Sequence, residues 1–323
     1  MAESSLQKHP NQTSMQKHPI PSRFEKFKKD IIRNKYLYIM AIPVIIYYAI
    51  FCYGPMYGLI IAFKDFAPRN GILGSAWVGL KWFKEFFGSY YFSRIISNTL
   101  LISFYDILWG FPAPIILALM LNEIKNKFFK STIQTVTYLP YFISLVVVCG
   151  ILIDFTASKG ILNDLVAVFG GERHNLLGDP NLFRTIYIGS GIWQGIGWGS
   201  IIYLAALSGI DPTLYEAGVV DGANRWKQLC HITIPGILPT IIILFILRMG
   251  SIMGVGFEKI ILLYNPLTYS TADVISSFVY RKGILESSFS YSTAIGLFNS
   301  IINFIILILA NKLSSITTET SLW

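Results

Sequence analysis

The sequence predicts an all-α membrane protein with six transmembrane helices, and three observations carry that prediction. Hydrophobic residues make up 53% of the 323-residue chain and charged residues only 14%, with a mean hydropathy of +0.54, far from soluble composition. Six windows are apolar and long enough to cross a bilayer as helices, for which about 20 residues suffice: 37–63, 97–121, 131–155, 184–207, 236–263 and 291–310. The basic residues are distributed unevenly between the connections, as the retention of lysine and arginine on the cytoplasmic side requires.

Taken in chain order, the first 22 residues are polar, carry two near-copies of Gln-Lys-His-Pro (from Gln7 and from Gln16), and are expected to be disordered. No apolar segment precedes Leu37, so the first span is expected to serve as an uncleaved anchor. Arg23, Lys26, Lys28, Lys29, Arg33 and Lys35 stand directly before it, and Lys125, Lys127 and Lys130 crowd the short connection between spans two and three. Both termini are therefore expected inside, although the first outward loop, with Lys64, Arg69, Lys81, Lys84 and Arg94, runs partly against the bias. The expected organisation is a polar, basic and largely disordered tail over 1–35, a six-span membrane domain over 36–312 with a structured loop at 211–235, and a short tail over 313–323. The net charge of +8 follows from this bias and from attraction to anionic membrane lipids, so it calls for no nucleic acid. Cys52, Cys149 and Cys230 are scattered and form neither a disulfide framework nor a metal spacing.

Ionisable residues inside a span need a partner or a watery cavity. Asp106 lies eight residues past Asn98, about 12 Å in at the helical rise, and Arg248 about 18 Å in from the opposite face. In a core of about 30 Å these depths coincide, so the two are expected either as an ion pair or as co-residents of one aqueous cavity. Gln194 and Asn299 fall near the same depth. Span four alternates Gly189, Gly191, Gly195, Gly197 and Gly199 with Trp193, Gln194 and Trp198. Such a run suits close helix packing or a translocation path with aromatic faces and an amide. Asp106, Trp193, Gln194, Arg248 and Asn299 are the candidate substrate-path residues, a mixture suited to a hydroxyl-rich solute and, with Arg248 unpaired, to an acidic one.

Between spans four and five the chain turns polar. Asp211 is a good N-cap and Pro212 fits a first helical turn. A helix is expected from Thr213 to about Trp226, with Ala217, Gly218, Asp221, Gly222 and Arg225 as a stripe of small residues edged by charge. Its two glycines weaken the helix by about 2 kcal/mol, which points to close approach of another body.

Glu216-Ala217-Gly218, three residues, Gly222, nine residues, then Ile232-Thr233-Ile234-Pro235 resembles the EAA loop of ABC importer permeases, whose pattern is Glu-Ala-Ala, three, Gly, nine, Ile-x-Leu-Pro. Gly218 replaces the third-position Ala and Ile234 the Leu, both mild changes. Trp77 to Phe83 is similar to the Gly-Leu-x-x-Phe segment of carbohydrate permeases. Ala118 to Glu123, Tyr138-Leu139-Pro140, Leu214-Tyr215-Glu216, Gly256-Phe257-Glu258, Tyr264-Asn265-Pro266 and Ser321-Leu322-Trp323 resemble the subgroup typified by the polysaccharide permease LplB. The resemblance implies the MetI-like fold of type I importers and import of a complex or acidic oligosaccharide. It also implies a second, different permease subunit, an ATPase dimer inside that holds ATP and magnesium, and a solute-binding protein outside. Glu216 and Gly222 would then belong to a coupling helix, Glu216 to Trp226, seated in a cleft of the ATPase. The chain has no phosphate-binding Gly-x-x-x-x-Gly-Lys-Ser/Thr loop of its own.

An ion-coupled secondary transporter is the alternative, but Asp106 is its one clear mid-span carboxylate and no inverted repeat is visible. A membrane enzyme finds no support: His9, His18, His174 and His231 form no catalytic or metal pattern, and no cofactor is implied.

Overall fold

The computed structural model describes residues 23–318, 321 and 322. The disorder expected of the first 22 residues lies outside them. Two compact units divide the chain at Gly58.

In the first unit, α1 (Arg23–Arg33) and α2 (Lys35–Tyr47) meet at Asn34. The basic stretch expected within an extended tail is therefore helical from Arg23. Asp30 accepts hydrogen bonds from Asn34 Nδ2 at 2.7 Å and from the Tyr38 hydroxyl at 2.8 Å, bridging the joint. Leu37, Met40, Ile45 and Phe51 are exposed, as suits a helix whose solvent is lipid.

The second unit is helical apart from a hairpin pairing Lys64–Asp65 with Ala76–Trp77. Its main elements are α3 (Tyr91–Tyr105), α4 (Pro112–Glu123), α5 (Lys127–Tyr138), α6 (Leu145–Thr156), α7 (Pro180–Ser208), α8 (Pro212–Val220), α9 (Ile234–Met249), α10 (Phe257–Leu263) and α11 (Phe289–Thr318). By length and composition, five helical runs of the described chain can cross a membrane: Lys35–Phe63, Phe92–Glu123, Leu145–Val168, Arg225–Met249 and Phe289–Ile316. The expected fourth span is α7, 29 residues long, whose five glycines and Gln194 dilute its apolar character.

Three expected spans change shape. The window at 131–155 is not one helix: α5 gives way to a 3₁₀ turn at Leu139–Phe142, and α6 restarts behind Ser144. Pro140 cannot donate an N–H, and the Ser144 hydroxyl accepts from Val147 N at 3.4 Å as the new cap. The window at 236–263 stops at Met249, and residues 250–256 run as turns, for example Gly254 N to Ser251 O at 2.9 Å. The last helix runs on to Thr318, past the expected span end at 310.

Prolines also bend the chain without ending it. π-helical turns at Tyr48–Tyr53, Asp106–Gly110 and Leu229–Thr233 each stand two residues before a proline, Pro55, Pro112 or Pro235. A proline ring collides with the carbonyl four residues back, and widening the preceding turn relieves the collision.

Helix α7 is the centre of this unit. Phe183, Tyr187 and Ile188 pack with Ile102, Cys149, Val255 and Ile260 near its start, while Tyr203 and Leu207 pack with Ala118 and Ile237 near its end. At Gly197 an added Cβ would collide with the Thr137 carbonyl, so the end of α5 seats directly on the α7 backbone. That contact accounts for one glycine of the run by helix packing alone.

Candidate functional site

Two cavities lie along α7, and one ion pair stands between them. The first, about 330 Å³, is lined by Ser103, Asp106, Tyr187, Gly191, Gln194, Arg248, Ser251, Gly256 and Lys259 among others. The second, about 520 Å³, lies nearer the 211–235 loop and is lined by Asp106, Gly110, Pro114, Gly195, Gly199, Tyr203, Leu244 and Arg248 among others. Asp106, Gly191, Arg248 and Ser251 border both.

The structure pairs Arg248 Nη2 with Asp106 Oδ2. Each partner has a local reason for its position. Asp106 opens the π turn ahead of Pro112, closed by Phe111 N donating to the Asp106 carbonyl at 3.0 Å. Gly110 makes room for its carboxylate, since a Cβ there would lie 2.9 Å from Asp106 Oδ1. Arg248 occupies the last turn of α9, where the negative helix end favours a cation. The pair is half-exposed, with the Arg248 side chain 50% and the Asp106 side chain 32% accessible.

The turn segment after α9 forms one wall of the first cavity, and its backbone is satisfied from several sides. Ser103 Oγ donates to the Ile252 carbonyl, Met253 N donates to Asn303 Oδ1 at 2.9 Å, and Ser276 Oγ donates to the Val255 carbonyl at 3.2 Å. Irregular backbone at membrane depth persists where protein or a cavity covers it.

Of the five candidate path residues, the structure brings together Asp106, Gln194 and Arg248. Gln194 also donates from Nε2 to the Ile143 carbonyl at 3.3 Å, bracing the break between α5 and α6. Trp193 is 46% exposed and lines neither cavity. Asn299, on α11, also lines neither, and among the described residues its buried Oδ1 has no hydrogen-bond partner. Depth along a helix fixes one coordinate only; at about 100° per residue, Trp193 points away from the face shared by Gly191, Gln194 and Gly195. Lys259, Tyr187 and Gly110 were missed. Lys259 had a signal, being a third ionisable residue inside the window at 236–263.

The 211–235 loop departs from the single helix expected. Helix α8 ends at Val220, and Gly222 turns left-handed with φ +74°. Ala223 N donates to the Gly218 carbonyl at 2.8 Å and Gly222 N to the Val219 carbonyl at 3.1 Å, the pattern of a Schellman motif. A second short helix, Arg225–Gln228, starts behind Asn224. Gly222 thus serves the turn, and Gly218 clears space for Ile232, whose Cδ1 would stand 3.1 Å from an added Cβ. The stripe from Ala217 to Arg225 is therefore split between two helices. Glu216, Ala217 and Asp221 are exposed, and Arg225 binds Glu123 at the end of α4 at 2.5 Å. Asp211 caps α8 by accepting from Thr213 N at 2.9 Å. The Thr213 backbone N–H and hydroxyl hold the Asp211 carboxyl below its ordinary value.

Residues 110–315 match the family of binding-protein-dependent transport system inner membrane components. The chain belongs to this family. The permease is 44% identical to Protein LplB of Bacillus subtilis over 283 residues, covering 87% of this chain and 89% of that one. It is 43% identical to the Bacillus subtilis polygalacturonan/rhamnogalacturonan transport system permease protein YteP over 285 residues, covering 88% and 89%. Among solved structures, it resembles a chain of a bacterial ABC transporter involved in the import of the acidic polysaccharide alginate, with a TM-score of 0.85 at 45% identity, covering 91% of this chain and all of that one. A second crystal structure, of the alginate transporter with a periplasmic protein bound to alginate pentasaccharide, gives a TM-score of 0.86 at 44% identity, covering 92% and all. The permease is thus a multi-pass membrane subunit of an ABC importer that works with a solute-binding protein, and the ion-coupled alternative falls away.

Proposed function

We propose that this permease is one of two different membrane subunits of an importer for complex oligosaccharides, acidic ones included, driven by a cytoplasmic ATPase dimer seated on its 211–235 loop. The observation that carries the reading is the shape of that loop. Helix α8 and its left-handed turn present Glu216 among the exposed apolar side chains Leu214, Val219, Val220 and Trp226. Apolar surface of this kind around a charge is what a partner protein covers. Arg225–Glu123 joins the loop to α4 and the loop itself continues into α9. Movement of the docked partner would therefore reach α4, which follows the π turn bearing Asp106, and α9, which bears Arg248.

The two cavities supply the rest of the mechanism. Asp106, Gly191, Arg248 and Ser251 border both chambers, so opening the pair would join them into one passage. A partner that docks more strongly on one arrangement of the loop shifts the population between the two states. The acidic cargo is supported by the alginate transporters to which the chain is similar. The loop and both termini would face the cytoplasm, in keeping with the lysine and arginine bias, and the solute-binding protein would deliver from the other side.

Co-purification from native membranes tests the reading. The tagged wild type should bring down a second permease and an ATPase, and Glu216→Lys should lose the ATPase. A wild-type chain that purifies alone, with no change on substitution, would sink it.

A further inference from the structure

The chamber farther from the loop holds a cation that the mechanism above leaves unused. Lys259 stands on α10, directly after the turn segment, and lines the chamber of about 330 Å³ together with Tyr187, Gln194 and Ser251. The residue is only 8% exposed. Its Nζ donates to the Tyr187 carbonyl at 2.8 Å and lies 4.7 Å from the Tyr187 ring centroid. Among the described residues it has no ion-pair partner, because the chamber's one carboxylate, Asp106, is engaged by Arg248.

An ammonium carries three N–H donors, and a single carbonyl accepts one. A buried cation without a counter-charge is costly and is kept where an anion completes it. A purely structural role at this position would need a donor for the Tyr187 carbonyl but no charge. The other walls offer an aromatic ring, an amide and a hydroxyl, which suit a sugar.

We infer that Lys259 is the counter-charge for a carboxylate on the cargo, so that this chamber seats a uronate residue of an acidic oligosaccharide. The inference rests on the acidic-oligosaccharide reading above and adds the side chain that reads the cargo's charge. With Arg248 neutralised by Asp106, Lys259 is the charge an incoming carboxylate would meet in this chamber.

The test uses the assembled importer with its solute-binding protein in liposomes. Two probes are compared, alginate pentasaccharide and its carboxyl-reduced neutral counterpart. Lys259→Gln keeps a donor for the Tyr187 carbonyl and removes the charge; Lys259→Arg keeps the charge. Selection by the solute-binding protein is common to all variants and cancels in the ratio of acidic to neutral uptake. Losing a charge-assisted contact should lower that ratio by about tenfold or more in Lys259→Gln, and Lys259→Arg should restore most of it. Lys259→Met serves as a second neutral variant if the glutamine protein does not assemble. An unchanged ratio in the neutral variants would overturn the inference while leaving the importer reading intact. A wild-type importer that takes up neither probe would overturn the oligosaccharide reading itself, and the inference with it.

Discussion

Asp273 and Asp106 each face an arginine, yet their surroundings differ at every level. Asp273 is fully buried. It binds Arg281 Nη2 at 2.6 Å and Arg94 Nη2 at 3.5 Å, and accepts from Ser277 Oγ at 2.8 Å. Its carbonyl, with that of Ser270, is held by Asn98 Nδ2 at 3.0 Å, and Asn98 Oδ1 accepts from Arg184 at 2.8 Å. This knot fastens α3, α7 and the segment before α11 at one point. Asp106 has a single arginine, partial exposure, and a cavity on either side. A buried ionic network stays closed because opening it strands charges. A lone, half-solvated pair is worth little and can exchange partners. The same chemistry thus serves as a fixed joint in one place and, in the proposed mechanism, as a breakable partition in the other.

The comparison is broken most strongly at the joint. Asp273→Asn removes the counter-charge of two arginines, and loss of one partner of a buried pair costs about 3–5 kcal/mol. The purified complex should melt at a clearly lower temperature or fail to assemble. At the partition the outcome should invert: Arg248→Glu should leave thermal stability within about 1 kcal/mol while uptake falls. The swap Asp106→Arg with Arg248→Glu should recover uptake, a coupling that a double-mutant cycle reads directly. A stability loss as large as that of Asp273→Asn would erase the distinction.

Smaller effects are expected at the loop. Gly222→Ala forces a left-handed φ on a residue with a Cβ, at about 1–2 kcal/mol, and should weaken ATPase co-purification without changing the melting of the membrane helices. Asp211→Ala should fray the start of α8 by removing its cap, a smaller effect than Gly222→Ala. The depressed Asp211 carboxyl means the cap is fully in place above the ordinary carboxylate range and fades as pH falls through its lowered value. ATPase association should therefore be insensitive to pH near neutrality and weaken only in acid.

The helical architecture and the start of the loop were legible in the sequence because both rest on local chemistry, apolar length and a capping aspartate, while the break of the loop at the left-handed Gly222 was not. The Asp106–Arg248 encounter was legible from depth alone, since both helices cross the same thickness. Rotation about the helix axis was not, which is why Trp193 and Asn299 were grouped with the cavity and Lys259 was overlooked. Charges near span ends are hard to place from sequence for a related reason. Asp273 and Arg281 look like loop residues, and only the tertiary fold brings Asp273 inward onto Asn98, Arg94 and Arg281. The break at Ser144 and the stop at Met249 lay hidden inside continuous apolar windows, where hydropathy does not distinguish a helix from turns that line a cavity.

The partition is tested most directly by locking it. In a chain whose Cys52, Cys149 and Cys230 are replaced by serine, Asp106→Cys and Arg248→Cys can be joined by a short thiol-reactive linker. Uptake by the reconstituted importer should stop on linking and return on reduction, with the ATPase still bound. Undiminished uptake at complete linkage would show that cargo does not pass between these two side chains.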